Sequence, residues 1–387
     1  MQHPQSPCTL LRRFFSVCLL VAITAIVSPA QTWLGTNGLS AWGDTQALLA
    51  SGGFIIVGAQ YGGVYRSPVD GPYYWNAANK GLELTDQFQI TALVESKGFI
   101  FAGTNDGIYS SQDAAASWYK LNIGYNGNFI YGFMLSGDYL VAGTGAGILR
   151  SSDNGSTWTK ANKGLADSST IRAVVGSGGY LFVATIGGMY RSANYGTTWS
   201  KANKGLVDST SIRSVASDEN EVFAGTVNGL YRSTNNGDSW IKSNTGLGNQ
   251  IARCFAIIGS EVFTGINAAN GSNGGVLHST NSGSSWATYG LSGRSVKSFA
   301  FSGDNLFAGS DNGNLNKLKL PPGTVGIKSS PVLLSMFARV RNLGSSAHSG
   351  SRIEFGIAER TLETLSIFDA KGNKMGTVAN LPLTDSH

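Results

Sequence analysis

The sequence predicts an all-β fold, a seven-bladed β-propeller followed by a small β-sandwich-like domain. Three observations support that prediction. Six tryptophans recur at intervals of 40 to 46 residues, namely Trp75, Trp118, Trp158, Trp199, Trp240 and Trp286. The 387 residues include 52 glycines, which suits many tight turns, and only 13% of them are charged. Each unit contains four short apolar or alternating segments, a pattern typical of strands.

The fourth unit shows how each blade is composed. Apolar segments at 171–175 and 180–184 predict the first two strands. Gly188–Ser192 predicts the third strand, and residues 198–201, which include Trp199, predict the fourth. A sheet of four short strands is too small to bury its own faces, so such sheets stack around a common axis.

The number of blades follows from the hairpin between the second and third strands. It occurs seven times, at 54–67, 99–111, 139–151, 180–192, 221–233, 261–279 and 305–317. The seventh unit has no tryptophan strand before Pro321, whereas Thr32 and Trp33 resemble a fourth strand. We therefore expect residues 31–34 to complete the seventh sheet and close the ring, leaving no open edge. Six blades with irregular ends are the alternative.

A motif between the third and fourth strands points to a known family. It reads SSDNGSTW (151–158), SANYGTTW (192–199), STNNGDSW (233–240) and STNSGSSW (279–286). Its Asp or Asn side chains can accept backbone N–H bonds within the turn, and its glycines permit positive φ. The motif resembles the Asp-box, or BNR, repeat of sialidases, sortilin-type receptors, xyloglucan-cleaving enzymes and a photosystem II assembly factor. The resemblance covers residues 31–320 and implies a propeller, but not one function.

The N-terminal 30 residues have the pattern of a signal peptide. Arg12 and Arg13 precede an apolar run at 14–27, and small residues lie at 28–30. We expect cleavage after Ala30, hence a secreted or cell-surface protein, with a membrane anchor as the alternative. Of the three cysteines only Cys254 would remain, which excludes a disulfide within the chain and suggests core filling. The sequence has no concentrated basic stripe, so we expect no nucleic-acid binding.

The C-terminal residues predict a second, smaller unit. Residues 321–350 read as a linker, and 351–387 contain alternating strands with an Ile-Phe-Asp-x-x-Gly turn at 367–372. This part resembles the C-terminal sorting domain of type IX secretion and implies export through the periplasm of a Gram-negative bacterium. The terminal strand of that family is absent, so the domain is predicted to be truncated. A generic β-sandwich is the alternative.

Motifs for catalysis are scarce. The sequence contains no P-loop, dinucleotide-binding glycine pattern or nucleophile elbow, and the dispersed histidines predict no metal and no cofactor. The Arg-Ile-Pro motif of sialidases is missing, and carboxylates such as Asp86, Asp167 and Asp208 occupy equivalent loops in different blades. We therefore predict no catalytic residues and a non-catalytic binding module. The alternatives are an exo-acting glycoside hydrolase, sialidase-like or xyloglucanase-like, and a purely structural surface component.

One position on the first strand of each blade predicts a ligand site. From the first blade to the seventh it holds Gln46, Thr91, Tyr131, Arg172, Arg213, Arg253 and Lys297. Four consecutive cations at one mouth of the channel would attract an acidic protein or glycan. Alternatively, Arg172 and Arg213 pair with Asp167 and Asp208, five residues upstream. A second series (Arg66, Arg150, Arg191 and Arg232) is expected to stack near the fourth-strand tryptophans.

Overall fold

The computed structural model describes residues 32–36, 43–124, 129–166, 170–207, 212–218, 221–248, 250–268 and 274–321, together with four short strands between 338 and 379. The predicted signal peptide and most of the linker lie outside these residues. Seven four-stranded antiparallel sheets follow one another along the chain. The seven-bladed fold predicted from the sequence is therefore confirmed.

The strands of each position have nearly constant length. The innermost strands have seven residues: β2 (Thr45–Ser51), β6 (Ile90–Ser96), β10 (Ile130–Ser136), β14 (Ile171–Ser177), β18 (Ile212–Asp218), β22 (Ala252–Ile258) and β26 (Val296–Ser302). The second strands have six: β3 (Phe54–Ala59), β7 (Phe99–Thr104), β11 (Tyr139–Thr144), β15 (Tyr180–Thr185), β19 (Glu221–Thr226), β23 (Glu261–Ile266) and β27 (Asn305–Ser310). The third strands have five: β4 (Val64–Pro68), β8 (Gly107–Ser111), β12 (Gly147–Ser151), β16 (Gly188–Ser192), β20 (Gly229–Ser233), β24 (Gly275–Ser279) and β28 (Leu315–Lys319). The outermost have two: β5 (Asn76–Ala77), β9 (Tyr119–Lys120), β13 (Thr159–Lys160), β17 (Ser200–Lys201), β21 (Ile241–Lys242), β25 (Ala287–Thr288) and β1 (Leu34–Gly35).

The core lies between neighbouring sheets. In every second strand, all residues after the first are buried, because a sheet in the ring is covered on both faces. Each apolar cluster joins two blades, as where Phe182 of blade 4 packs with Val222 and Trp240 of blade 5. The innermost strands contact one another in sequence, including β26 with β2, and so enclose a central channel.

The ring is closed by the N-terminal strand. β1 pairs with β28 in the register Leu34 to Lys317, and the backbone N–H and Oγ1 of Thr36 both donate to the Leu315 carbonyl at 3.1 Å. The strand ends one residue later than the expected 31–34, but its partner is the predicted one. The seventh blade is therefore built from both ends of the propeller.

Tryptophan side chains link consecutive blades. Five of the six repeat tryptophans donate from Nε1 to a backbone carbonyl of the preceding blade, for example Trp199 to Ala161 at 2.8 Å and Trp240 to Ala202 at 2.8 Å. Trp158 is different, because it donates to Gly155 within its own turn. This set of bonds explains why the tryptophans recur at the blade period.

The second arginine series joins blades in another way. The guanidinium groups of Arg66, Arg150 and Arg191 lie 4.5 to 4.7 Å from an aromatic ring at the start of the second strand, not over the tryptophans as expected. The same side chains donate to the turn of the next blade, as where Arg191 contacts Asp238 at 2.7 Å. Arg232 pairs with Glu221 of its own blade and also donates to Ser284 in the turn of the next blade. Their role is structural, since each bridges two sheets.

The C-terminal part contains two separate hairpins. β29 (Ala338–Arg341) pairs with β30 (Arg352–Phe355), and β31 (Thr364–Phe368) pairs with β32 (Lys374–Ala379). Three of these strands coincide with segments that the sequence predicted. The sorting-domain assignment remains a prediction.

Candidate anion-binding site at the channel mouth

A β-bulge recurs at the start of every innermost strand. In blade 4, for example, Ile171 pairs with Thr185 and Ala173 with Ala184, so that Arg172 has no partner in the ladder. The same shift occurs in all seven blades, at the positions Gln46, Thr91, Tyr131, Arg172, Arg213, Arg253 and Lys297. Because a bulge redirects a side chain away from the regular alternation, it separates these residues from the strand's core positions.

These bulged residues share one end of the channel. In three blades, the side chain of the residue after the bulge donates a hydrogen bond to the first residue of the innermost strand of the following blade. These bonds are Ser214 Oγ to Ala252 O at 2.7 Å, Cys254 Sγ to Val296 O at 3.7 Å and Ser298 Oγ to Thr45 O at 3.1 Å. The strand beginnings therefore lie side by side around the ring. We call the seven bulged positions the channel mouth.

Lys297 is neutralised by a carboxylate that the sequence did not reveal. Its Nζ forms an ion pair with Asp44 Oδ2, and both side chains are largely buried. Asp44 immediately precedes the innermost strand of blade 1, the blade next to that of Lys297. The fourth cation of the predicted cluster is thus satisfied within the fold, and three arginines remain.

Asp44 occupies the position immediately before the innermost strand of the blade that follows Lys297. For two of the three arginines, the residue at this position in the following blade is not an acid. The equivalent residue is Ile251 opposite Arg213 and Ser295 opposite Arg253. For Arg172 the equivalent residue, like Asp167 and Asp208, lies outside the described part of the chain. Among the residues that the structure describes, no carboxylate forms an ion pair with Arg172, Arg213 or Arg253.

The three arginines lie near enough to repel one another. Burial lowers the pKa of the Arg253 guanidinium, and the charges of Arg213 and Arg172 lower it further. The Nε atoms of Arg172 and Arg213 are buried without a hydrogen-bond partner. A buried donor without a partner costs free energy, and an anion placed between the guanidinium groups would offset the repulsion of their charges through charge-assisted hydrogen bonds.

An aromatic pair occupies the neighbouring blade. Tyr131 lies at the bulged position of blade 3, adjacent to that of Arg172, and its ring stacks on Phe129 with centroids 4.5 Å apart and planes inclined by 27°. Both side chains are half-buried. Tyr131 therefore belongs to the site geometrically, and Phe129 is a member that the sequence analysis did not identify.

Other chemistry is not evident in the part of the chain covered by the structure. That part contains no group of three or more His, Cys, Asp or Glu side chains that could hold a metal ion. The only described histidine, His278, stacks on Phe263 and contacts Glu261 at 3.2 Å in the body of blade 6. No helix within the described ranges is long and apolar enough to span a bilayer.

The geometry defines a propeller with a cationic channel mouth, and comparisons with known proteins support the fold. No protein-family model and no curated sequence matches the chain. Among solved structures, it is similar to the extracellular domain of a putative one-component system from B. thetaiotaomicron, with 16% identity, a TM-score of 0.60, and coverage of 76% of this chain and 42% of that one.

Two further similar structures are a peptide-bound protein and an enzyme. YCF48, solved bound to D1 peptide, is similar at 13% identity and a TM-score of 0.60, over 77% of this chain and 97% of its own. The GH74 xyloglucanase from Xanthomonas campestris is similar at 13% identity and a TM-score of 0.57, over 75% of this chain and 54% of its own. Identities this low establish the architecture alone, because one fold hosts many functions.

Proposed function

We propose that this chain is an exported, non-catalytic binding module that holds an acidic group of a protein or glycan at the channel mouth. The observation that supports it most directly is the set of three neighbouring arginines without a described counter-ion. Two of them carry buried Nε donors that lack an acceptor. Similar propellers that form extracellular domains of bacterial proteins, together with the signal-like N-terminus, favour an exported location.

The proposal is tested by removing the three charges together. Arg172→Gln, Arg213→Gln and Arg253→Gln in one variant should weaken binding of the full chain to polyglutamate or dextran sulfate at least about tenfold, because charge-assisted hydrogen bonds are lost. Binding of the unmodified protein should also fall as salt is raised. Calorimetry at several salt concentrations measures both effects.

The matched control removes the same net charge elsewhere. Lys201, Lys242 and Lys319 are exposed, on outermost strands or next to the ring closure, and none of them lies at the mouth. Changing all three to Gln should leave the affinity within about twofold. Equal losses in the two triple variants would mean that overall charge attracts the probes, and the mouth would not be the site.

A second variant addresses the ion pairs expected from the sequence. If Asp167 and Asp208 neutralise Arg172 and Arg213, replacing both acids with Asn should destabilise the protein. Under our proposal the melting temperature stays unchanged and anion binding becomes stronger, because two negative charges five residues upstream of the arginines in the sequence are removed. A lower melting temperature without any gain in affinity would favour the structural explanation.

Glycoside hydrolysis is the competing function, favoured by the likeness to a xyloglucanase. It requires two carboxylates facing each other across the scissile bond. Asp44, a carboxylate at this mouth, pairs with Lys297 and accepts a hydrogen bond from the Asn312 backbone, so it is committed to the fold. Turnover of xyloglucan or a sialyl substrate that one carboxylate change abolishes would replace the binding function with catalysis.

A further inference from the structure

The channel mouth is asymmetric in its chemistry. Blades 4, 5 and 6 contribute the three arginines, whereas blade 7 contributes a cation that is already paired. Blade 3 contributes the Phe129–Tyr131 ring pair, and blade 1 contributes the neutral amide of Gln46. A ligand held here would therefore meet concentrated positive charge on one side and aromatic and amide groups beside it.

From this juxtaposition we propose that the mouth prefers a phosphate monoester carried on a sugar ring. The inference rests on the proposed function and names its ligand class. The guanidinium groups provide the charge and the donors for the phosphate oxygens. The ring pair provides an apolar surface for the C–H face of the sugar, and the Gln46 amide can bond to its hydroxyls.

The number of cations favours a doubly charged group over a singly charged one. A phosphate monoester carries nearly two negative charges above neutral pH and presents three acceptor oxygens, whereas a sulfate ester or a carboxylate carries one charge. Repulsion among the three arginines is relieved in proportion to the charge that enters, so the dianion gains more. Guanidinium groups also match the spacing of phosphate oxygens in bidentate contacts.

The position of the ring pair favours a cyclic carrier over a bare phosphate. Tyr131 and Phe129 stack on each other and are both half-buried, so only part of their aromatic surface is open to a ligand. That surface suits the small C–H face of a sugar. A nucleobase, whose stacking surface is larger than the C–H face of a sugar, would have less of that surface covered.

Four probes on the full-length protein test the charge preference. At pH 7.5, glucose 6-phosphate should bind about tenfold more tightly than glucose 6-sulfate or glucuronate in calorimetry. Adenosine monophosphate, the fourth probe, should bind no more tightly than glucose 6-phosphate. Similar affinities for the three glucose derivatives would overturn the phosphate preference while leaving an arginine-dependent anion site in place. Tighter binding of the nucleotide would show that the ring pair prefers a base to a sugar face, and would overturn a simple sugar phosphate as the ligand.

Two variants test the roles of the rings and of the arginines. Tyr131→Leu should weaken glucose 6-phosphate about fivefold and leave glycerol 3-phosphate unchanged, because only the sugar uses the ring. Tyr119→Leu, at an exposed tyrosine on the outermost strand of blade 2, is the matched control and should change neither. If Tyr131→Leu weakens both ligands equally, the aromatic contact does not exist. If the triple arginine variant binds every probe as the parent does, the proposed function fails as well.

Discussion

Ring closure involves the N-terminal strand, and Trp33 makes two kinds of contact there. Its Nε1 donates to the Tyr289 carbonyl of blade 6 at 2.8 Å, and its ring packs against the cluster that contains Leu318 and Leu320 of blade 7. Trp75 of blade 1 then donates to the Thr36 carbonyl at 3.1 Å. The hydrogen bond from a tryptophan Nε1 to the preceding blade, which joins other neighbouring blades, therefore also occurs on both sides of blade 7.

The cost of replacing Trp33 with Ala follows from these contacts. An aromatic side chain buries roughly 150–250 Å² when enclosed, so the half-buried Trp33 contributes about 100 Å², or about 2.5 kcal/mol of transfer free energy. The indole hydrogen bond adds about 1 kcal/mol. We therefore expect Trp33→Ala to lower the free energy of unfolding by about 3.5 kcal/mol, and Trp33→Phe by about 1 kcal/mol.

Urea denaturation followed by circular dichroism measures these differences, and Trp158 supplies the control. Trp158→Phe also loses one indole bond, but that bond lies within its own turn. Hydrogen exchange should therefore accelerate in β28 for Trp33→Phe, and near Gly155 for Trp158→Phe. A loss below about 0.5 kcal/mol for Trp33→Ala, with unchanged exchange in β28, would refute closure through the N-terminal strand.

Three further predictions concern single sites. Hydrogen bonds in the repeated turn lower the pKa of Asp153 to about 2, so its contribution is present above the ordinary carboxyl value and is lost as the pH falls from about 4 to 2. Asp153→Asn should remove that acid dependence from the melting temperature, which an unchanged profile would contradict. Gly205→Ala should lower the free energy of unfolding by about 3 kcal/mol, since its Cβ would lie 2.2 Å from a backbone carbonyl. Gly179→Ala, also at positive φ but in open space, should lower it by about 1 kcal/mol. Urea titrations measure both losses, and equal losses would argue against the clash. Asp44→Asn should lower stability by about 1–2 kcal/mol because it leaves the Lys297 charge unpaired, and an equally large loss in the double variant with Lys297→Met would exclude that cause.

The sequence predicted the propeller well because its signals are local and repeated. The third strand of blade 4 has the predicted bounds, Gly188–Ser192, and the first two strands exceed theirs by one or two residues. The outermost strand was predicted at 198–201 but has only Ser200–Lys201, because Trp199 turns its backbone N–H to the Lys163 carbonyl of the previous blade. The local sequence pattern around Trp199 does not indicate this contact, because its partner lies in another blade.

Alignment of the repeats located the candidate site, but it did not reveal which of the charges there are paired. The seven bulged positions were identified correctly as equivalent, since equivalence follows from the distance to the second strand. The pairing of Lys297 with Asp44 spans 253 residues across the closure, and no local pattern indicates it. Phe129 was missed because it precedes the strand, although its spacing of two residues from Tyr131 is the signal that could have revealed the ring pair.

The fold itself does not require the arginines. Gln46, Thr91 and Tyr131 occupy the same bulge in blades 1 to 3, so a neutral side chain satisfies that position. In blade 7 the position carries a cation, and there Asp44 neutralises it. Blades 4 to 6 instead place three like charges together, and burial together with the charges of Arg213 and Arg172 lowers the pKa of Arg253. Because the same ring avoids such repulsion at its other blades, the arrangement favours the proposed ligand over a purely structural role for the arginines.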